Sequence, residues 1–204
     1  MNNSLSNSGR TVWAALRMLL VLTVVTGIVY PLVVAGIGQA AFHSKAGGSL
    51  IKVDGKEVGS RLIGQSWNIK GTDKPDPKWF QPRPSHSNYD PLSTGSSQLG
   101  ASDPKLVQMV DNAKKQVADF NSVPRSAVPK DAVTGSASAI DPDISPAYAR
   151  IQADRVAKAN GLFPAQVRKL VEDHVTGRDL GFMGEPRVNV LELNIALKDL
   201  TAKH

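Results

Sequence analysis

The sequence predicts an α+β protein: one N-terminal transmembrane helix followed by a single mixed α/β extracytoplasmic domain. Three observations carry this. Residues 18–41, MLLVLTVVTGIVYPLVVAGIGQAA, contain no charged side chain. Arg10 and Arg17 precede that run with no acidic residue before them, and the charges after it are mixed in sign. Beyond Phe42, short alternating and proline-broken stretches give way to helical periodicity toward the C-terminus. The chain accordingly divides into a cytoplasmic tail over residues 1–11, a transmembrane helix over 12–42, a linker over 43–48 and an outer domain over 49–204.

The tail, MNNSLSNSG, is too poor in apolar residues to fold by itself. As a helix, the charge-free run would be about 36 Å long, enough to cross a hydrocarbon core of about 30 Å with some tilt. A cleavable signal has the same polarity, but its apolar core is only about 7–15 residues, so an uncleaved anchor is the better reading. Arginines close to one end favour the cytoplasm for that end, which puts everything after Phe42 outside. Pro31 removes a backbone donor inside the span and is expected to kink it. Gly27 and Gly36 would let another helix approach, although ordinary use of glycine and proline in a membrane helix explains them equally well.

The outer portion, roughly 160 residues, suits one domain with its own core. The chain carries 24 Lys and Arg against 18 Asp and Glu, a formal charge of +6, and the two tail-side arginines supply two of those charges. The rest are interspersed, without a basic run or interleaved aromatics, which argues against nucleic acid as a partner. Cysteine is absent, so disulfides, thiol nucleophiles and thiolate metal sites are excluded.

After Gly47-Gly48, SLIKVDGKEVGS predicts a hairpin turning at Asp54-Gly55. Gly59 and Gly64 bracket a short apolar run. Prolines 75, 77, 82, 84 and 91 rule out a long helix or a central strand between Asn68 and Gly100, while Trp79, Phe80 and Tyr89 require that this segment pack against something. Asp103-Pro104 caps a helix whose stripe is Leu106, Val110, Ala113, Val117 and Phe120. Ser145-Pro146 opens another reaching roughly Asn160, stopped by Gly161, and Pro164 starts a third with Val167, Leu170, Val171 and His174 on one side. Asn189 and Glu192 stand as a capping box before Val190, Leu193, Leu197 and Leu200.

No catalytic constellation emerges. Histidines 43, 86, 174 and 204 have no metal-sharing spacing, Ser85-His86-Ser87 lacks a nucleophile elbow, and Gly135-Ser136-Ala137-Ser138 lacks the lysine of a phosphate loop. Asp131, Asp141 and Asp143 could gather round a cation, but aspartates beside prolines and turns more often cap the backbone. These residues assign no catalytic group and no metal ligand. A membrane-anchored hydrolase would need a serine and a histidine brought together by folding. A single-pass sensor would need a larger cytoplasmic module than the short tail supplies.

GSRLIGQ at 59–65, FQPRPS at 80–85, DAVTGSASAIDPDISP at 131–146, RIQADRVA at 150–157 and EPRVNVLELNIAL at 185–197 stand in this order behind one span. In this they resemble the KdpC family, the C subunit of the Kdp potassium-transporting P-type ATPase. The resemblance implies an accessory, non-catalytic subunit in a bacterial cell membrane. Its partners would be a potassium-selecting channel-like subunit, an ATP-hydrolysing subunit and membrane lipid. The family is described as a catalytic chaperone that raises the ATP affinity of the hydrolysing subunit. No cofactor is expected on this chain alone, and ATP only together with that subunit. Gln152 is the residue to test for a nucleotide role, against simple hydrogen bonding on a helix surface. Interface candidates are Gly27, Pro31 and Gly36 in the span, and Arg83, Ser85, Asn189, Glu192 and Asn194 outside it. Internal readings compete for the latter group: a core-edge ion pair for Arg83, and a helix cap for the Asn189, Glu192 and Asn194 cluster.

Overall fold

The computed structural model describes residues 3–202, and the chain divides into two units after Leu50. The first unit is helical. Helix α1 spans Asn3–Val24, a π-helical turn covers Val25–Val29, and α2 spans Tyr30–Ala41, with one further turn, α3, at His43–Ala46. Helix therefore begins well before residue 12, in the polar stretch expected to stay unfolded. Extending an established helix costs little compared with nucleating one, so the apolar run carries its flank with it. Ser8–Ala41 is long and apolar enough to cross a membrane, and it is the one such helix among the described residues.

Pro31 acts on the span as a change of helical pitch. The Tyr30 N–H donates to Val25 O, five residues back, so the chain widens by one residue per turn just before the proline ring. The Thr26 hydroxyl donates to Leu22 O at 2.7 Å.

From the boundary onward, β1 (Leu50–Val53) and β2 (Lys56–Ser60) form the predicted hairpin that opens the second unit. Asp54 and Gly55 both take positive φ, 52° and 76°, as a tight two-residue turn of this kind requires. Helix α4 is Pro104–Asn121, with the Asp103 carboxylate accepting from Lys105 N. Two short 3₁₀ turns, Arg125–Ala127 and Lys130–Ala132, lead to β3 (Asp143–Ile144). Then come α5 (Pro146–Asn160), α6 (Pro164–Asp173), β4 (Val188–Asn189) and α7 (Val190–Thr201). Strands β3 and β4 are antiparallel, with Asp143 opposite Asn189 and Ile144 opposite Val188.

The helix ends form where the capping residues place them. The Ser145 hydroxyl accepts from Tyr148 N, Gly161 closes α5 at φ 68°, and Asn189 accepts from Glu192 N. Helix α5 buries Ala149, Ala153 and Ala157, one turn apart, and these small residues let α6 approach closely with Val167 and Val171. Leu193 and Leu197 of α7 complete this layer.

The proline-rich segment from Asn68 to Gly100 is irregular yet well packed. Phe80 is fully buried in the core, and the Trp67 and Trp79 rings pack at 5.2 Å. Gly64 marks the tightest approach, because a Cβ there would lie 2.5 Å from Asp141 O and 2.8 Å from the Tyr89 ring.

Candidate functional site

Two of the polar groups singled out by the motifs, Gln152 and Asn194, converge on the segment Trp79–Gln81, which has no strand neighbour. Phe80 buries its ring, and this obliges its backbone to find partners inside the domain. Asn194, from α7, supplies both: its Oδ1 accepts from Phe80 N at 2.9 Å and its Nδ2 donates to Phe80 O at 3.0 Å. Gln152, from α5, does the same for the next residue, with Oε1 accepting from Gln81 N at 2.7 Å and Nε2 donating to Gln81 O at 3.0 Å. Both amides are completely buried. Each reproduces, with a side chain, the paired hydrogen bonds of a β-ladder.

Arg155 locks the arrangement from one turn further along α5. Its guanidinium donates to Pro77 O at 2.6 Å, Trp79 O at 3.0 Å, Asn121 Oδ1 at 2.9 Å and Gln152 Oε1 at 2.8 Å, and it lies 4.3 Å above the centre of the Phe120 ring. Burial pushes its pKa down to about 10, so the group stays charged near neutrality. The Gln81 side chain donates to Trp67 O and Asp76 O at 2.9 Å each, tying the start of the loop to its end. A surface cleft of about 700 Å³ lies beside this cluster, lined in part by Phe120, Arg150, Asp154, Arg155 and Lys158. Two of those charges are committed across the helix pair: Arg150 to Glu172, at 2.6 and 2.8 Å, and Asp154 to Arg168 at 2.8 Å.

The other candidates outside the span are half-buried and bonded within the domain. Arg83 pairs with Asp141 at 2.8 Å and reaches Thr134 O and Gly135 O at 3.4 Å, with about a quarter of its side chain exposed. This matches the core-edge ion pair. The Ser85 hydroxyl donates to Ala139 O at 2.7 Å and accepts from Tyr89 N at 2.9 Å, while the Tyr89 hydroxyl donates to Arg83 O. Burial raises the Tyr89 phenol well above its ordinary range. Asn189 caps α7 and donates to Arg61 O at 2.9 Å and Asp143 Oδ1 at 3.1 Å, and the Glu192 carboxylate pairs with Arg61.

The three aspartates are engaged within the fold. Asp131 accepts from Ser145 N and Oγ at 2.7 and 2.8 Å, Asp141 accepts from Asp143 N at 3.1 Å, and Asp143 faces Arg187 at 3.4 Å. Asp131 and Asp141 therefore cap backbone N–H groups, whereas Asp143 is held by the Arg187 and Asn189 side chains.

Two placements correct the sequence reading. Asn194 belongs to the core, and neither a helix cap nor a face another subunit can touch describes it. Gln152 is likewise enclosed, so surface hydrogen bonding does not describe it, and both ends of its amide are taken by Gln81 and Arg155. Arg155, Phe80 and Asn121 complete the cluster and were not singled out as site residues. Arg155 lies inside a quoted motif, three residues after Gln152, and that was the only signal available for it. In the first unit, Gly27, Pro31 and Gly36 are exposed along the helix, with open space where a Cβ would stand on either glycine. His204 and the first two residues lie outside the described residues.

An apolar helix long enough to span a membrane, followed by an α+β domain stapled by buried amides, fits a membrane-anchored protein. A family model described as "KdpC: K+-transporting ATPase, c chain" matches residues 12–199. The chain belongs to the KdpC family. Relatives named "Potassium-transporting ATPase KdpC subunit" include one from Streptomyces coelicolor, 53% identical over 99% of this chain and 98% of its own length. Another, from Streptomyces avermitilis, is 51% identical over 99% of both chains, and one from Caldanaerobacter subterraneus subsp. tengcongensis is 44% identical over 96% of this chain and 98% of its own.

Proposed function

We propose that this chain is the non-catalytic accessory subunit of a potassium-transporting ATPase. It is anchored by its single span with the N-terminus in the cytoplasm, and its α+β domain stands outside, over the entrance of a channel-like potassium-selecting subunit. One observation carries the reading: the polar residues in the family motifs are used internally, as staples, caps and ion pairs, so the motifs preserve a shape. A domain whose distinctive chemistry serves its own rigidity is suited to docking and alignment. The anchor adds affinity by raising the effective concentration of the domain at the membrane surface.

Raising the ATP affinity of the hydrolysing subunit then works through assembly. A bound subunit that favours the nucleotide-competent conformation lowers the apparent Kd for ATP without touching the nucleotide. The complete burial of Gln152 supports this indirect route over direct contact. Outside the span, Arg83, Ser85, Asn189 and Glu192 are proposed to act mainly by holding the docking surface in shape.

The test is co-expression of the full chain with the other subunits, followed by purification in mild detergent and ATPase assays with and without this chain. The chain should co-purify with multi-span partners, and the complex lacking it should need more ATP for half-maximal turnover. Purification alone, or an ATP dependence indifferent to the chain, would refute the proposal. Hydrolytic turnover by the chain by itself would favour an enzyme.

A further inference from the structure

The turn before Pro31 leaves the span short of backbone donors. In a regular helix the Tyr30 N–H would serve Thr26 O, but here it goes to Val25 O. The next residue along the chain is proline, which has no N–H to offer either Thr26 O or Gly27 O. Those two adjacent carbonyls therefore have at most one backbone donor within reach, the N–H of Leu32. The nearest hydroxyl is spent elsewhere, since Thr26 Oγ1 donates one turn back to Leu22 O. No charged side chain stands between Met18 and Ala41, and the shortage falls near the middle of this run. Water is scarcest there and an unserved carbonyl is costly.

Space and polarity coincide at this point. Gly27 has no atom within 4 Å of where its Cβ would stand, and Pro31 follows one turn later. The residues around them, Ile28, Val29 and Tyr30, are exposed along the helix. Gly36 lies about half a turn round the helix from Gly27, so it does not share this notch.

We propose that Thr26 O, Gly27 and Pro31 form an intramembrane docking notch for a second transmembrane helix, one that presents a hydrogen-bond donor side chain of the Asn, Gln, Ser or Thr class at mid-bilayer. The open Gly27 face lets the backbones come close, and the donor completes the carbonyl that the π turn leaves unserved. An all-apolar partner helix would fit the surface but leave the acceptor empty. The proposal rests on the reading of the chain as an anchored subunit, and it places that helix in a multi-span partner.

The experiment compares wild type, Gly27→Leu, Pro31→Leu, Thr26→Ala and an Ile37→Leu control, each as the full chain co-expressed with the other subunits. Membrane insertion is checked by resistance to alkaline extraction. Gly27→Leu closes the notch, and Pro31→Leu restores the missing N–H. Each is expected to weaken retention of the chain in the purified complex about three- to tenfold, the range of one interhelical hydrogen bond, with insertion unchanged. Thr26→Ala keeps the carbonyl and should co-purify like wild type, as should Ile37→Leu. Full retention of an inserted Gly27→Leu chain overturns the notch, as does a loss confined to Thr26→Ala. If Pro31→Leu fails to insert, the Gly27→Leu result decides. A wild-type chain that binds no multi-span partner instead defeats the functional reading itself.

Discussion

Asn194 and Gln152 do for Phe80 and Gln81 what a neighbouring strand would do. Replacing Asn194 with Leu keeps the volume but strands the Phe80 N–H and C=O in the core, at about 1–3 kcal/mol for each unsatisfied group. Asn194→Leu is therefore expected to lower stability by about 2–5 kcal/mol, read from thermal or denaturant melting of the full chain in detergent; a melt matching wild type would contradict the staple. Asp143 gives a pH signature. Burial raises its carboxyl above the ordinary value of 3.8, outweighing the lowering effects of the Asn189 hydrogen bond and Arg187. A carboxyl raised on folding gives stability that is complete below the unfolded pKa and is lost as pH rises through the folded one. The stability difference between wild type and Asp143→Asn should thus fall as pH increases from about 3.8 and flatten once the raised carboxyl is ionised. A difference that grows with pH over that interval would reverse the assignment.

At the scale of elements, the helices were legible because their signals are local. Asp103-Pro104, Ser145-Pro146, Pro164 and Asn189 each announce a helix start within a few residues, and Asp54-Gly55 announces the hairpin. What stayed hidden depends on distant partners. Gln152 and Asn194 sit on helices as polar residues ordinarily do at a surface, and only the arrival of residues 80 and 81 turns them into core. The π turn was hidden for a related reason: proline announces a break, but the neighbouring turns decide which break forms. Asn189→Ala removes an α7 cap that also bonds Arg61 O and Asp143, so a loss of about 1–2 kcal/mol is expected, at the upper end for such caps. Gly64→Ala pushes a methyl into Asp141 O and the Tyr89 ring, and should cost about 1–3 kcal/mol in the same melts.

Taken whole, the molecule is an anchor and a domain on one chain without cysteine, and this makes its orientation easy to measure. Leu92 is 95% exposed on the irregular loop, so Leu92→Cys introduces one reactive thiol at little structural cost. In intact cells a membrane-impermeant maleimide is expected to label that thiol without permeabilisation, whereas labelling only after lysis would place the domain in the cytoplasm.

The long reach of the Asn194 staple also bears on biogenesis. Phe80 waits for a residue 114 positions later, near the end of the chain, before its backbone is satisfied. While the ribosome is still at work, the emerging polypeptide carries a finished apolar helix but only an unfinished domain. Insertion of the helix can therefore precede completion of the domain, and any step that needs the completed domain must await Asn194.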